Sequence, residues 1–241
     1  MIKLLTYQVN PYLLLGEAAE PYLKTNTEWI RDIVNQLMMR HHQHLVKAGI
    51  ETSLFHNHDE TLNHTLPPYP RIIYQNNNGV FMVTGINKGA DAIKELFGFY
   101  QQPVVAGKNL MISFEPYQKQ ETDIVKTEGM MMYAIHNYLA LDAKTHKQYA
   151  HATAIEKLYL LRDTLLKHLI GDLFRYLQVE VDEPQLEIIE MLNNEQRKMT
   201  YKNHHYLAFN LVFGANVLLP SFVALGNGKA FGYGVIERIN N

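Results

Sequence analysis

The sequence predicts an α+β fold in which one order of elements, β-α-β-β-α-β, is used twice in tandem. Three observations lead there. Each half contains a long stretch with apolar residues at helical spacing, β-rich runs flank an Asn-Gly turn in the first half, and each half closes on a short strand-like run. This order is the split βαβ, or ferredoxin-like, unit, so the expected architecture is two ferredoxin-like (RRM-like) domains in tandem.

Residues 2–10 read as the first strand. Trp29, Ile30, Ile33, Val34, Leu37, Met38 and Leu45 then fall on one face of a long helix, with Thr25, Asn26 and Thr27 available as its N-cap. Residues 50–70 are polar and histidine-rich and end in Pro67-Pro68-Tyr69-Pro70, which predicts a loop or irregular hairpin. The runs Arg71-Ile72-Ile73-Tyr74 and Val80-Phe81-Met82-Val83-Thr84 flank Asn76-Asn77-Asn78-Gly79, a strong hairpin signal. A short amphipathic helix over 87–97, with Ala90, Ile93 and Leu96 on one side, and a strand over 109–114 complete the unit.

The second half repeats the order with wider spacing. A strand is expected over 129–140. A helix follows over 154–177, where Leu158, Leu161, Leu165, Leu169, Leu173 and Leu177 recur at helical steps. A strand pair over 186–191 and 206–212, a short helix or turn over 218–223 and a strand within 231–239 finish it. The boundary is expected between residues 115 and 126, giving domains 1–118 and 119–241.

Hydrophobic residues make up 47% of the 241-residue chain and charged residues 19%, enough to bury a real core. Cysteine is absent, which excludes a disulfide frame and a thiolate metal site. The formal net charge of -2 argues against a protein that coats nucleic acid nonspecifically, but leaves room for a local basic patch. The opening residues are too short and polar for a signal peptide, and no apolar run is long enough for a bilayer. The expectation is a soluble cytoplasmic protein with no membrane partner.

Chemistry concentrates in three places. The first is the tail Gly226-Asn227-Gly228-Lys229-Ala230-Phe231-Gly232-Tyr233-Gly234. Glycines this dense permit positive φ and close approach to a ligand, and consecutive N–H groups suit phosphate oxygens. The loop leads into a strand rather than a helix, so it is not a nucleotide P-loop. A phosphate backbone such as RNA is one reading, and a glycine-rich hairpin is the other.

The second is Leu54-Phe55-His56-Asn57-His58-Asp59-Glu60, with Lys47 before it and Tyr69 after it. Two imidazoles at i and i+2 can work on either side of a scissile phosphate, one removing a proton from a ribose 2′-hydroxyl and one protonating the leaving oxygen. A nearby lysine or tyrosine can stabilise the charge that develops. The same residues can be loop-capping histidines, or can hold zinc with Asp59, though no further ligand set accompanies them. Arg40-His41-His42-Gln43-His44, where cations suit a helix C-terminus, supplies the competing histidines. The third place is the basic set Tyr201-Lys202 and Lys229, with lysines and arginines along the second long helix that contact phosphates or form a solvated face. Tyr74 and Phe81 lie on neighbouring strands, either to stack bases or to pack the core.

Taken together, Leu54-Phe55-His56-Asn57-His58-Asp59, Tyr69-Pro70-Arg71-Ile72-Ile73-Tyr74-Gln75 and Val83-Thr84-Gly85-Ile86-Asn87-Lys88-Gly89 resemble the first half of CRISPR-associated repeat-RNA endoribonucleases. The likeness is to the branch of that superfamily (RAMP) with a His-Asn-His-Asp motif. Tyr138-Leu139-Ala140-Leu141, the Tyr201-Lys202 pair and Phe213-Gly214-Ala215-Asn216-Val217-Leu218-Leu219-Pro220 before the glycine loop extend it over nearly the whole chain. The resemblance implies binding of CRISPR repeat RNA and metal-independent cleavage of precursor crRNA, leaving a 2′,3′-cyclic phosphate, with no cofactor. It implies catalysis by His56 and His58 with help from Lys47 and Tyr69. RNA contacts would come from Gly226, Gly228, Lys229, Gly232, Gly234, Lys202 and Arg71. Other CRISPR effector subunits and a second copy of the chain are further candidate partners. Non-catalytic RNA-holding subunits of effector complexes share the fold and are the alternative. Gln75 stands where that branch usually has a lysine, which removes one phosphate contact.

Overall fold

The computed structural model describes residues 1–13, 27–56, 69–77, 80–105, 110–182, 184–192, 197–201 and 204–239. They form two compact units, one of Ile2–Glu121 with Ala230–Gly232, the other of Met1, Thr122–Lys229 and Tyr233–Asn241. Each unit is a mixed α/β body with its own antiparallel sheet, so the chain has the tandem ferredoxin-like fold.

In the first unit the elements are β1 (Ile2–Leu13), α1 (Glu28–Arg40), α2 (His42–Lys47), a 3₁₀ turn (Thr52–His56), β2 (Ile72–Asn77), β3 (Val80–Ile86), α3 (Lys88–Gly98), β4 (Val104–Val105) and β5 (Leu110–Thr122). The sheet order is β2-β3-β1-β5-β4. Strand β3 is buried along nearly its whole length because it is central, pairing antiparallel with both β1 and β2. Helix α1 buries Ile30, Ile33, Val34, Leu37 and Met38, the stripe its spacing predicts. Tyr7 meets Phe97 edge-on at 4.9 Å, and Phe97 stacks on Phe114 at 4.1 Å. Tyr74 and Phe81 are fully buried in this core, which settles their role as packing residues rather than base-stacking ones.

Gln75 is also buried, and its Nε2 donates to Thr84 Oγ1 at 3.2 Å, while Thr84 and Thr6 hydroxyls meet at 3.0 Å. A lysine here would bury its charge against two hydroxyls, which costs far more than the amide does. Where β3 turns into α3, backbones pack without side chains between them. A Cβ on Gly89 would lie 2.0 Å from the Arg71 carbonyl oxygen, and one on Gly85 would lie 2.4 Å from the Gly89 oxygen. Asn87, at φ 51°, tolerates this bend because its amide and its Oδ1 pair with the Lys3 backbone at 2.8 and 2.9 Å.

The long helix expected through Leu45 is interrupted at His41, whose φ and ψ are -112° and 14°. No glycine or proline breaks it. The His41 N–H turns back to Met38 O at 3.0 Å and its ring is stacked on Phe99, so tertiary contact rather than propensity ends the helix. Thr27 precedes α1 but does not cap it through its side chain; its hydroxyl donates to Phe231 O at 2.8 Å instead.

The second unit runs β6 (Lys126–Tyr138), α4 (Ala143–His151), α5 (Ala154–His168), a π turn (Leu169–Phe174), α6 (Arg175–Leu177), β7 (Leu186–Met191), β8 (Arg197–Tyr201), β9 (His204–Val217), a 3₁₀ turn (Lys229–Phe231) and β10 (Val235–Arg238). The sheet order is β10-β6-β9-β7, with β8 pairing to β9. Helices α4 and α5 begin in capping boxes, Asp142 with Thr145 and Thr153 with Glu156. Leu158 does not join the leucine stripe and is 43% exposed, whereas Leu161, Leu165, Leu169 and Leu173 are buried. The π turn keeps that buried face aligned over steps of four.

Of the short helix or turn expected over 218–223, the structure has a turn at Ser221–Phe222 and no helix, because the backbone there is committed elsewhere. Leu218 N donates to Val125 O, Leu219 N to the Tyr133 hydroxyl, and Phe222 N to Ile236 O, all at 2.8 Å. The closing strand is shorter than expected, Phe231 lying in the 3₁₀ turn before it.

These contacts give a stability test. Gly89→Ala should destabilise by about 1–3 kcal/mol through overpacking, whereas Gly98→Ala, where an added Cβ meets nothing within 4 Å, should be neutral or slightly stabilising. Urea denaturation of the two variants against wild type measures the contrast.

Candidate functional site

His56 closes the 3₁₀ turn Thr52–His56, and the turn is fixed from three sides. Leu54 and Phe55 are buried, α1, α2 and α3 pack against the turn, and the buried Tyr74 hydroxyl donates to Phe55 O at 3.1 Å. Burial raises the Tyr74 pKa, so this hydroxyl keeps its proton and its bond. The imidazole of His56, half-buried, is thus carried on a short rigid element. His58 and Asp59 lie outside the described residues.

Lys47 is exposed at the last turn of α2. Tyr69 is 2% exposed, which gives its side chain no open surface. Arg71 is half-buried just before β2, its carbonyl accepting from Ile86 N at 2.8 Å. Lys202 is outside the described residues. His41, the main competitor for catalysis, stacks on Phe99 at 4.3 Å and meets Tyr100 edge-on at 5.2 Å. Burial, with His44 and Arg40 beside it, holds its pKa below the ordinary value. A cleft beside the 3₁₀ turn is lined by Glu51, Lys88 and Asp91 among others. Two carboxylates against one ammonium make it a poor host for phosphate. Among the described residues no three His, Asp or Glu side chains converge as a metal set.

Positive φ in the glycine-rich tail is as expected, with Gly226, Gly228, Gly232 and Gly234 between 70° and 82°. What comes close to them, however, is the protein itself. An added Cβ on Gly226 would lie 2.6 Å from the Tyr138 ring, on Gly228 2.6 Å from Tyr233, on Gly234 2.0 Å from Leu225 O, and on Gly232 2.7 Å from Tyr74 O. Side chains are therefore excluded by the fold before any ligand arrives. The stretch is also divided. Gly226, Gly228, Lys229 and Gly234 belong to the second unit, and Ala230–Gly232 to the first, where the Arg31 guanidinium lies over the Phe231 ring at 5.1 Å.

Within the second unit a polar network holds the tail. Lys229 Nζ donates to Asp172 Oδ2 at 2.7 Å and to Gly226 O at 2.9 Å. Asp172 sits in the π turn, and His168, four residues earlier, shares a 2.6 Å hydrogen bond with the Tyr138 hydroxyl through Nδ1. The Tyr138 ring is the surface on which Gly226 and Gly234 rest. Burial, with Asp172 adding, pushes the Tyr138 pKa well up. Burial holds His168 below its ordinary value, against the pull of Asp172. The sequence carried a signal for this network in the i, i+4 spacing of His168 and Asp172 on the leucine-rich helix.

Residues 23–123 of the chain match the family model described as the Cas6b N-terminal domain, and residues 125–239 match the Cas6b C-terminal domain. Its fold is similar to "Crystal structure of Cas6b" (TM-score 0.69, 17% identity, covering 98% of this chain and 100% of that chain). It is also similar to "Crystal structure of CRISPR RNA processing endoribonuclease Cas6b" (TM-score 0.60, 15% identity, 98% and 100%). A third similar structure is "Csf5, CRISPR-Cas type IV Cas6 crRNA endonuclease" (TM-score 0.53, 11% identity, 100% of both). No curated protein matches the sequence. No helix among the described residues is long and apolar enough to cross a membrane.

The network predicts a pH dependence. A folded-state pKa below the unfolded value of about 6.5 means the unfolded chain binds the proton more readily. The stability that His168 contributes is then present above that unfolded value and lost as pH falls through the folded one. The melting temperature of wild type should drop between pH 7.5 and acidic pH by more than that of His168→Gln, and equal slopes would refute the assignment.

Proposed function

We propose, because the chain belongs to the Cas6b family, that it binds CRISPR repeat RNA and cuts precursor crRNA within the repeat without a metal ion. The match of both family domains, spanning residues 23–239, carries this reading. The site of cutting is the segment that begins at His56. One of His56 and His58 removes the proton of the 2′-hydroxyl next to the scissile phosphate, and that oxygen attacks phosphorus. The other protonates the 5′-oxygen as its bond to phosphorus breaks. The products are a 2′,3′-cyclic phosphate and a free 5′-hydroxyl, and atoms balance without water or cofactor.

Lys47, exposed beside the turn's helix, is suited to stabilise charge on the pentacoordinate phosphorus. Tyr69, being buried, is given a positioning part at the far end of the same segment. The RNA backbone is held by the glycine-rich tail with Lys202 and Arg71. Lys229 is already engaged by Asp172 and Gly226, so its first contribution is to the shape of that tail. The rigid 3₁₀ turn favours His56 over His41, whose ring is occupied in stacking.

Cleavage assays on repeat RNA test this directly. His56→Ala and His58→Ala should each slow cleavage about 10²-fold or more while RNA binding persists, and His41→Ala should cut like wild type. Wild type should stay active in excess EDTA. Loss of activity with EDTA would point to a metal, cutting of a repeat carrying deoxyribose at the cleavage site would remove the nucleophile, and stoichiometric binding without turnover would favour the non-catalytic RNA-holding alternative.

A further inference from the structure

One segment of the glycine-rich tail is turned inward. Ala230–Gly232 comes near the end of the chain but packs in the first unit with Ile2–Glu121, where it is seated on α1 and β2. The hydroxyl of Thr27, a buried residue just before α1, donates to Phe231 O at 2.8 Å. One turn further along, the Arg31 guanidinium lies over the Phe231 ring, 5.1 Å from its centroid. Gly232, at φ 76°, comes so close to β2 that an added Cβ would stand 2.7 Å from Tyr74 O and 2.9 Å from Gln75 Cα. Arg31 Nε is buried without an acceptor, and the buried Asn35 Oδ1, at the next turn of α1, takes no proton from it. The Phe231 ring is therefore the contact that orients this guanidinium.

From there the path to the proposed cutting residue is short. Burial raises the Tyr74 pKa and the Arg31 charge works against that rise, so the guanidinium lies within electrostatic reach of the Tyr74 hydroxyl. A cation beside a buried hydroxyl polarises it as a donor. That hydroxyl donates to Phe55 O at 3.1 Å, and Phe55 is the residue before His56 in the 3₁₀ turn. Strand β2, which Gly232 abuts, is also the strand that carries Tyr74. Phe231 thus bears on the turn through the side chain of Arg31, and its neighbour Gly232 does so through the backbone of β2. One face of the Phe231 ring is already covered by Arg31, which suits support better than base stacking.

We propose that Phe231 is a positioning residue for His56, seating Arg31 and β2 and, through Tyr74, fixing the turn that carries the imidazole. The inference rests on the reading of His56 as a cutting residue, and it adds that one tail residue acts on the rate of cutting rather than on RNA affinity. With repeat RNA, Phe231→Ala should lower the cutting rate at saturating RNA about tenfold and leave the half-saturating concentration within about twofold of wild type. Phe231→Tyr, which keeps the ring, should cut like wild type. Phe231→Leu, which fills the space without a π face, should be impaired in the same direction and keeps the test open if Phe231→Ala folds poorly. Tyr74→Phe, which removes only the hydroxyl, should also slow cutting, and the double variant Phe231→Ala with Tyr74→Phe should lose less than the product of the two single losses. Imidazole NMR reads the same effect without turnover. The His56 ring signals, identified by their loss in His56→Ala, should shift in Phe231→Ala and keep their wild-type positions in Phe231→Tyr. An unchanged cutting rate or unmoved His56 signals in Phe231→Ala overturns the proposal. So does a raised half-saturating concentration at unchanged rate, which makes the ring an RNA contact. If wild type cuts no repeat RNA, or His56→Ala cuts as well as wild type, the cutting role of His56 fails instead, and the NMR comparison decides whether Phe231 holds that ring.

Discussion

The ring of Tyr138 governs the shape of the most unusual stretch of this chain. Gly226 closes onto that ring at a distance no Cβ would allow, and Gly234, whose Cβ would run into Leu225 O at 2.0 Å, lies tightly against the same ring. The ring is held from behind by its hydroxyl bond to His168, and the loop is held from the side by Lys229 on Asp172. The glycine-rich tail is thus preorganised by the protein's own side chains. Preorganisation lowers the ordering cost of binding, which gives a physical meaning to glycine density beyond flexibility.

A comparable constraint acts in the first unit. Gly85 and Gly89 let β2, β3 and the start of α3 come within backbone contact, and the buried Gln75–Thr84–Thr6 chain fixes the same strands. The 3₁₀ turn that ends in His56 is anchored to β2 through Tyr74. The candidate catalytic imidazole is therefore mounted on a turn packed into the core of its unit, as positioning of an acid–base group requires.

Charge is distributed by segment rather than by total. A net charge near zero gives little long-range attraction for RNA. Locally, however, residues 37–50 are basic and free of carboxylates. Elsewhere several cations are paired, Lys88 with Glu51 at 2.7 Å, Arg162 with Asp163 at 2.8 Å and Lys229 with Asp172. Specific contact, more than bulk potential, is left to carry recognition.

The sequence by itself determined the order of the main elements of the first unit, the hairpin at residues 72–86, the apolar stripe of α1 and the need for positive φ in the tail. Each of these follows from short-range physics: side-chain period, turn stereochemistry and the missing Cβ of glycine. Only the tertiary structure decided what those local features serve. It broke the first helix at His41 because a stack on Phe99 outweighed helical continuity. It decided between helix and turn over 218–223 in favour of a turn, in a segment whose amides bond to Val125, Tyr133 and Ile236. It placed Tyr74 and Phe81 in the core and drew Tyr138, His168, Asp172 and Lys229 together across 91 positions of sequence (229 minus 138). Partners that far apart leave no periodic signature, because the energy that joins them arises only once the chain has folded.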